Sequence, residues 1–153
     1  MYAFLLFGLF FLYCSPVPRY IADNEHFAMR YIHACAWSAH MDAFRHSGLY
    51  PANVVGWTTN SDPKCAVPGP WIINPSSNPT NGYFFEYSGR VPSTTTEGCT
   101  RFKKFTMSAR PVAFGKTGVR SFFVDESMGF HATSDNRPAN EMDPIDSTLL
   151  HRP

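Results

Sequence analysis

No charged residue precedes Arg19, and no Pro or Gly lies between Arg19 and Ser47. Charge of one sign is missing as well. Thirteen Lys and Arg face twelve Asp and Glu, a net charge of +1, so no broad field draws nucleic acid or an anionic surface. No two of the four cysteines lie within five residues of each other, which excludes zinc-type spacing. No G-x-S-x-G occurs and the histidines concentrate in one segment, so a Ser or Cys nucleophile has no motif behind it. The pattern asks for no cofactor and names no catalytic residue.

Residues 2–14 (YAFLLFGLFFLYC) form an apolar run interrupted only by Gly8. A bilayer core about 30 Å thick needs roughly 20 apolar residues as a helix. Thirteen residues at a rise of about 1.5 Å reach only about 20 Å. A secretory signal needs a basic start and a small-residue cleavage site, and Tyr13-Cys14-Ser15-Pro16 offers neither. Three readings stay open: a truncated membrane-spanning helix, an atypical signal or anchor, and a buried core element.

Residues 19–48 read as one helix, with Gly48 as its C-cap. Ile21, Ala28, Ile32, Cys35 and Ala39 recur at helical steps and share one face. His26, His33, Trp37, His40 and Phe44 form a second stripe, about a third of a turn away at 100° per residue. Asp23, Arg30 and Arg45 keep to the remaining side. Two weakly polar faces imply two partners, the chain's own sheet and something external. The histidines are spaced by seven, about 10 Å along the axis, too far apart to share one metal ion.

From 49 to 81 the composition is loop-like, rich in Pro, with Trp71-Ile72-Ile73 as an apolar island that pins the connection to the core. Four strands are expected at 82–88, 101–109, 119–125 and 129–133, on aromatic and β-branched content. Short links make them an antiparallel meander, and 134–153 reads as an irregular tail. The fold class is thus α+β: an apolar stem at 1–18, an amphipathic helix, and a four-stranded sheet in one domain.

Gly115-Lys116-Thr117-Gly118 lacks the full phosphate-loop pattern and leads into a strand, so it reads as a turn. Asp125 and Glu126, neighbours at a strand end, point to opposite faces and flank a hairpin. Asp135, Asn136, Glu141 and Asp143 do not match calcium-loop spacing and read as a solvated tail. Cys65 and Cys99, both in Pro/Gly/Thr-rich segments, are the candidate disulfide, and Cys35 is expected as a buried free thiol.

Several stretches resemble one family. Pro18 followed by Ala22-Asp23-Asn24-Glu25 and its helix looks like the stem of type IV pilins and type II secretion pseudopilins. Gly82-Tyr83-Phe84-Phe85-Glu86-Tyr87 is similar to the family's first strand. Ser108-Ala109-Arg110-Pro111-Val112 and the run from Gly118 to Ser127 resemble its closing strands, and Asp135-Asn136-Arg137-Pro138-Ala139 and Asp143-Pro144-Ile145 its tail. The resemblance covers roughly 16–45 and 71–146, and it is most specific across the second and third strands. It implies a pilin-like fold and a non-enzymatic structural subunit. Such a subunit waits in the bacterial inner membrane, in contact with lipid and the assembly machinery. It then joins copies of itself and other pilin-like subunits in an extracellular pilus or periplasmic pseudopilus.

On this reading Ile21, Ala28, Ile32, Cys35 and Ala39 contact the chain's own sheet, and the second stripe is the subunit–subunit face. Two departures stand out. The prepilin leader is absent; with Pro18 in the place of the family's stem proline, Met1 falls a little inside the mature helix, and either a start codon upstream or a degraded gene is expected. Relatives also tend to place Gly directly after the Ser of the last hairpin, where this chain has Met128-Gly129. The alternative class is an exported, membrane-anchored binding module that does not polymerise. Its recognition surface would be the 49–81 loop, with Trp57 and Trp71 as aromatic candidates.

Overall fold

Arg19–Arg45 is a single α-helix, α1, of 27 residues. The structure, a computed structural model, describes residues 18–54, 65–67, 79–96 and 98–147. The expectations for 1–17, the Trp71-Ile72-Ile73 island and the aromatic candidates Trp57 and Trp71 lie outside the described residues. No helix among the described residues is long and apolar enough to cross a membrane.

The helix stops two residues short of Ser47. Ser47 (φ 56°) and Gly48 (φ 79°) are both left-handed. Gly48 N–H donates to the Ala43 carbonyl at 2.8 Å and His46 N–H to the same oxygen at 3.0 Å. These bonds satisfy a carbonyl that the last turn would otherwise orphan.

Beyond α1 come a two-residue parallel pair, β1 (Asn53–Val54) and β2 (Ala66–Val67), inside the stretch expected as loop. Four strands then form one antiparallel sheet in the order of the chain: β3 (Tyr83–Thr96), β4 (Cys99–Pro111), β5 (Ser121–Asp125) and β6 (Phe130–Thr133). One helix packed on a four-stranded antiparallel sheet makes the fold α+β.

β3 runs eight residues past Ser88, where it was expected to end. Gly89 and Pro92 look like breakers, yet Gly89 pairs with Phe105 and Pro92 with Phe102. Proline is tolerated because β3 is an edge strand. The cost is a register shift between Pro92 and Thr95, with Val91 at φ 57°. A disulfide joins Cys99, at the start of β4, to Cys65, with the Cα atoms 5.1 Å apart.

Side chains of period two from β3 to β6 build the core under α1. Tyr83, Phe85 and Tyr87 come from β3, Phe105, Met107 and Ala109 from β4, Phe122 and Val124 from β5, and Phe130 from β6. The helix answers with small side chains, Ala28, Cys35, Ala36, Ala39 and Ala43, around Ile32. Tyr31 meets Phe85 edge-on with ring centroids 4.8 Å apart, a preferred aromatic geometry.

The tail differs from the solvated segment expected of it. Ala132 N–H donates to the Pro144 carbonyl at 3.1 Å and Asp146 N–H to the Phe130 carbonyl at 2.7 Å, so residues 144–146 cover the outer edge of β6. Ala139 and Asp143 are buried. The β5–β6 hairpin turns through Met128 at φ 60°, in the left-handed region that glycine adopts most readily.

Candidate functional site

The outward face of α1 is the feature that the fold leaves unexplained. Trp37 is 56% exposed and Phe44 83% exposed. His33 and His40 are exposed and His26 is half-buried. His40 Nδ1 lies 3.3 Å from the Tyr50 hydroxyl, which ties one edge of the stripe to the segment after the helix. Met41 and Tyr20 are also exposed, and the sequence reading missed both. Met41 sits four residues after Trp37 and three before Phe44, so it extends the same patch.

The other five singled-out residues occupy the opposite side. Ile21, Ala28, Ile32, Cys35 and Ala39 are all buried. Cys35 is the free cysteine among the described residues. Burial pushes its thiol well above the usual range, against a smaller opposing hydrogen bond from Tyr31. A thiol held protonated is a poor nucleophile and a poor metal ligand.

Charged contacts fix how the helix is rotated on the sheet. Glu25 is buried and accepts from Val119 N–H at 2.8 Å and from Arg120 Nε at 2.9 Å. Arg120 also donates to Asp146 at 2.9 Å. Asn24 Nδ2 donates to the Thr117 carbonyl at 3.0 Å. Near the other end Asp42 pairs with Arg101. These anchors lie on the inner side and its margins, so the Trp37–Phe44 patch is turned outward by pairs on both ends of the helix.

The loop that receives Glu25 depends on a glycine. The Tyr83 hydroxyl donates to the Arg120 carbonyl at 2.8 Å, and a Cβ on Gly118 would sit 2.1 Å from that oxygen. Burial, reinforced by Glu25, raises the Tyr83 hydroxyl above the usual tyrosine range. The 115–118 segment is a turn: Gly115 N–H donates to the Gly118 carbonyl at 2.8 Å, and Thr117 N–H to Ala113 at 2.8 Å.

The carboxylates set aside earlier fall into structural roles. Asp125 Oδ1 accepts from Ser127 N–H at 2.9 Å and from its hydroxyl at 2.6 Å, which shapes the hairpin. Asp143 accepts from Arg137 at 2.9 Å and from Asn140 N–H at 2.8 Å. The Arg137 guanidinium holds its carboxyl at about 2, below the usual carboxylate range. Among the described residues no group of three or more His, Cys, Asp or Glu is placed to hold a metal ion. No protein-family model, curated protein or solved structure matches the chain.

Proposed function

We propose that this chain is a non-enzymatic structural subunit of a type IV pilus or type II secretion pseudopilus. It assembles through its N-terminal helix, whose outward stripe of His26, His33, Trp37, His40 and Phe44 meets neighbouring subunits. Before assembly the apolar segment ahead of the helix rests in inner-membrane lipid; afterwards the subunit stands in an extracellular pilus or periplasmic pseudopilus.

One observation carries the reading. From Cys35 onward α1 presents small side chains, Cys35, Ala36, Ala39 and Ala43, to its own sheet and large ones, Trp37, Met41 and Phe44, to the outside. Exposed aromatic side chains grouped on one face mark an association surface. The helix-on-meander architecture and the apolar run at residues 2–14 fit the same role.

The test uses the full chain in its own cells. Trp37→Glu is expected to abolish filaments seen by electron microscopy of sheared surface material, while the protein keeps the thermal stability of its parent. Peptide mapping of parental filaments should return this chain. Normal filaments from the variant would overturn the face assignment. A freely soluble, monomeric full-length protein would overturn the whole reading.

A further inference from the structure

If the outward helix face is a subunit contact, as the proposed function holds, the fold offers a specific surface to receive it. A groove of about 630 Å³ opens on the side of the sheet away from α1. Its walls are Arg90 and Lys104 of the β3–β4 hairpin, the Asp125–Glu126 corner, and Glu141 and Met142 of the tail, with Phe123 among its apolar lining. Arg90 pairs with Lys104 and Thr106 with Asp125 across the strands. All four alternate with the core residues Phe105, Met107, Phe122 and Val124, which places the groove on the back of the sheet.

Chemistry matches the two surfaces. The groove holds three carboxylates against two cations, and Lys104 is already paired with Glu126 at 3.1 Å. Beside the stripe the helix carries exposed Arg30 and Arg45 against one exposed carboxylate, Asp23. Asp42 is engaged by Arg101 and Glu25 by Arg120, so the inner carboxylates do not offset those arginines at the surface. Each surface also has an apolar element left in solvent: Trp37, Met41 and Phe44 on the helix, and Met142, 87% exposed, on the groove wall. A slightly acidic groove with an apolar rim is complementary to a basic helix face with an aromatic centre.

We infer that the helix face of one copy, centred on Trp37 and Phe44, seats in the back groove of the next. The two surfaces lie on opposite sides of one sheet, so every copy that donates its helix keeps its own groove open. Such a head-to-tail contact does not close into a two-fold dimer, and where its rotation does not close a ring it extends as a filament.

Cysteine cross-linking of the full chain in membranes tests this against the parent background. A chain carrying both Phe44→Cys and Met142→Cys should give a ladder of dimers, trimers and higher multimers. Phe44→Cys and Met142→Cys expressed together as separate chains should stop at dimers, and each expressed alone should add nothing. The ladder should vanish when Trp37→Glu is added. Both positions are exposed, and a parental melting temperature confirms that the variants fold. Glu141→Cys in place of Met142→Cys repeats the test from the same wall. Dimers from Phe44→Cys alone, with no ladder from either double variant, would show helix faces meeting each other. That result overturns the head-to-tail arrangement and leaves the subunit reading intact. No cross-link above the parent in any chain that still forms filaments would overturn it as well. Loss of filaments in the parent itself is what would sink the function.

Discussion

In its second half the two sides of α1 invert the usual distribution of bulk that its first half keeps. Ile21, Met29, Tyr31 and Ile32 of the first half are buried, but from Cys35 on the helix turns Cys35, Ala36, Ala39 and Ala43 to the sheet and Trp37, Met41 and Phe44 to solvent. A helix whose only task is to cap a sheet places its large apolar side chains inward. Beneath that half the sheet supplies the large rings, Tyr83, Phe85, Phe105, Phe122 and Phe130, and the helix meets them with short side chains. The outward rings contribute little to the fold of a single copy. Stability is therefore written on one face of the element, and the other is the face proposed for association.

Substitutions on the two faces should separate accordingly. The largest effect belongs beneath the helix. Phe122→Ala empties a fully buried position and should cost about 3–5 kcal/mol in denaturant unfolding, whereas Phe44→Ala should stay within about 0.5 kcal/mol. Equal losses at the two positions would break the comparison. Next comes overpacking: Ala36→Leu, at a position with no exposure, should cost about 1–3 kcal/mol, because the rings below it cannot retreat. The same added bulk at exposed His33 should change nothing measurable.

A milder effect sits on the back of the sheet, where Arg137 and Asp143 fasten the tail. The carboxyl is held at about 2, below its unfolded value. Its contribution to stability is therefore complete above the ordinary carboxylate range near pH 4 and lost as pH falls from there through about 2. Urea titrations across that window should show a decline that Asp143→Asn lacks. The smallest effect is that of Trp37→Glu on the isolated monomer, a shift in unfolding free energy within about 0.5 kcal/mol. A much larger drop would mean that the outward face also serves the fold.

What could be read ahead of the coordinates follows a physical division. α1 announces itself through helical periodicity, and the four strands through aromatic and β-branched content between turn residues, because both signals are local. The Cys65–Cys99 bridge was accessible from the character of the segments that hold the two cysteines, and it is present. Glu25 was not accessible, since the backbone and guanidinium that neutralise it stand 94 and 95 residues away. The length of β3 was hidden for a different reason. Gly89 and Pro92 break strands as a rule of composition; the edge position of β3 exempts Pro92, and at Gly89 the Phe102 ring lies where a Cβ would sit. The tail carries no apolar periodicity, and it is held instead by single hydrogen bonds to β6. The back groove arises where tail, hairpin and corner converge, a meeting of distant segments that no window of sequence contains.

The Cys65–Cys99 bond has a mechanical consequence. It closes a loop of sequence separation 34 that contains all of β3, so tension applied along the chain passes through the sulfurs and bypasses that strand. At up to about 3.5 Å per residue, on the order of 110 Å of contour length is withheld from stretching while the bond is intact. A single molecule pulled by its ends should gain that length on reduction, and an oxidised fibre built from such units would be correspondingly hard to lengthen.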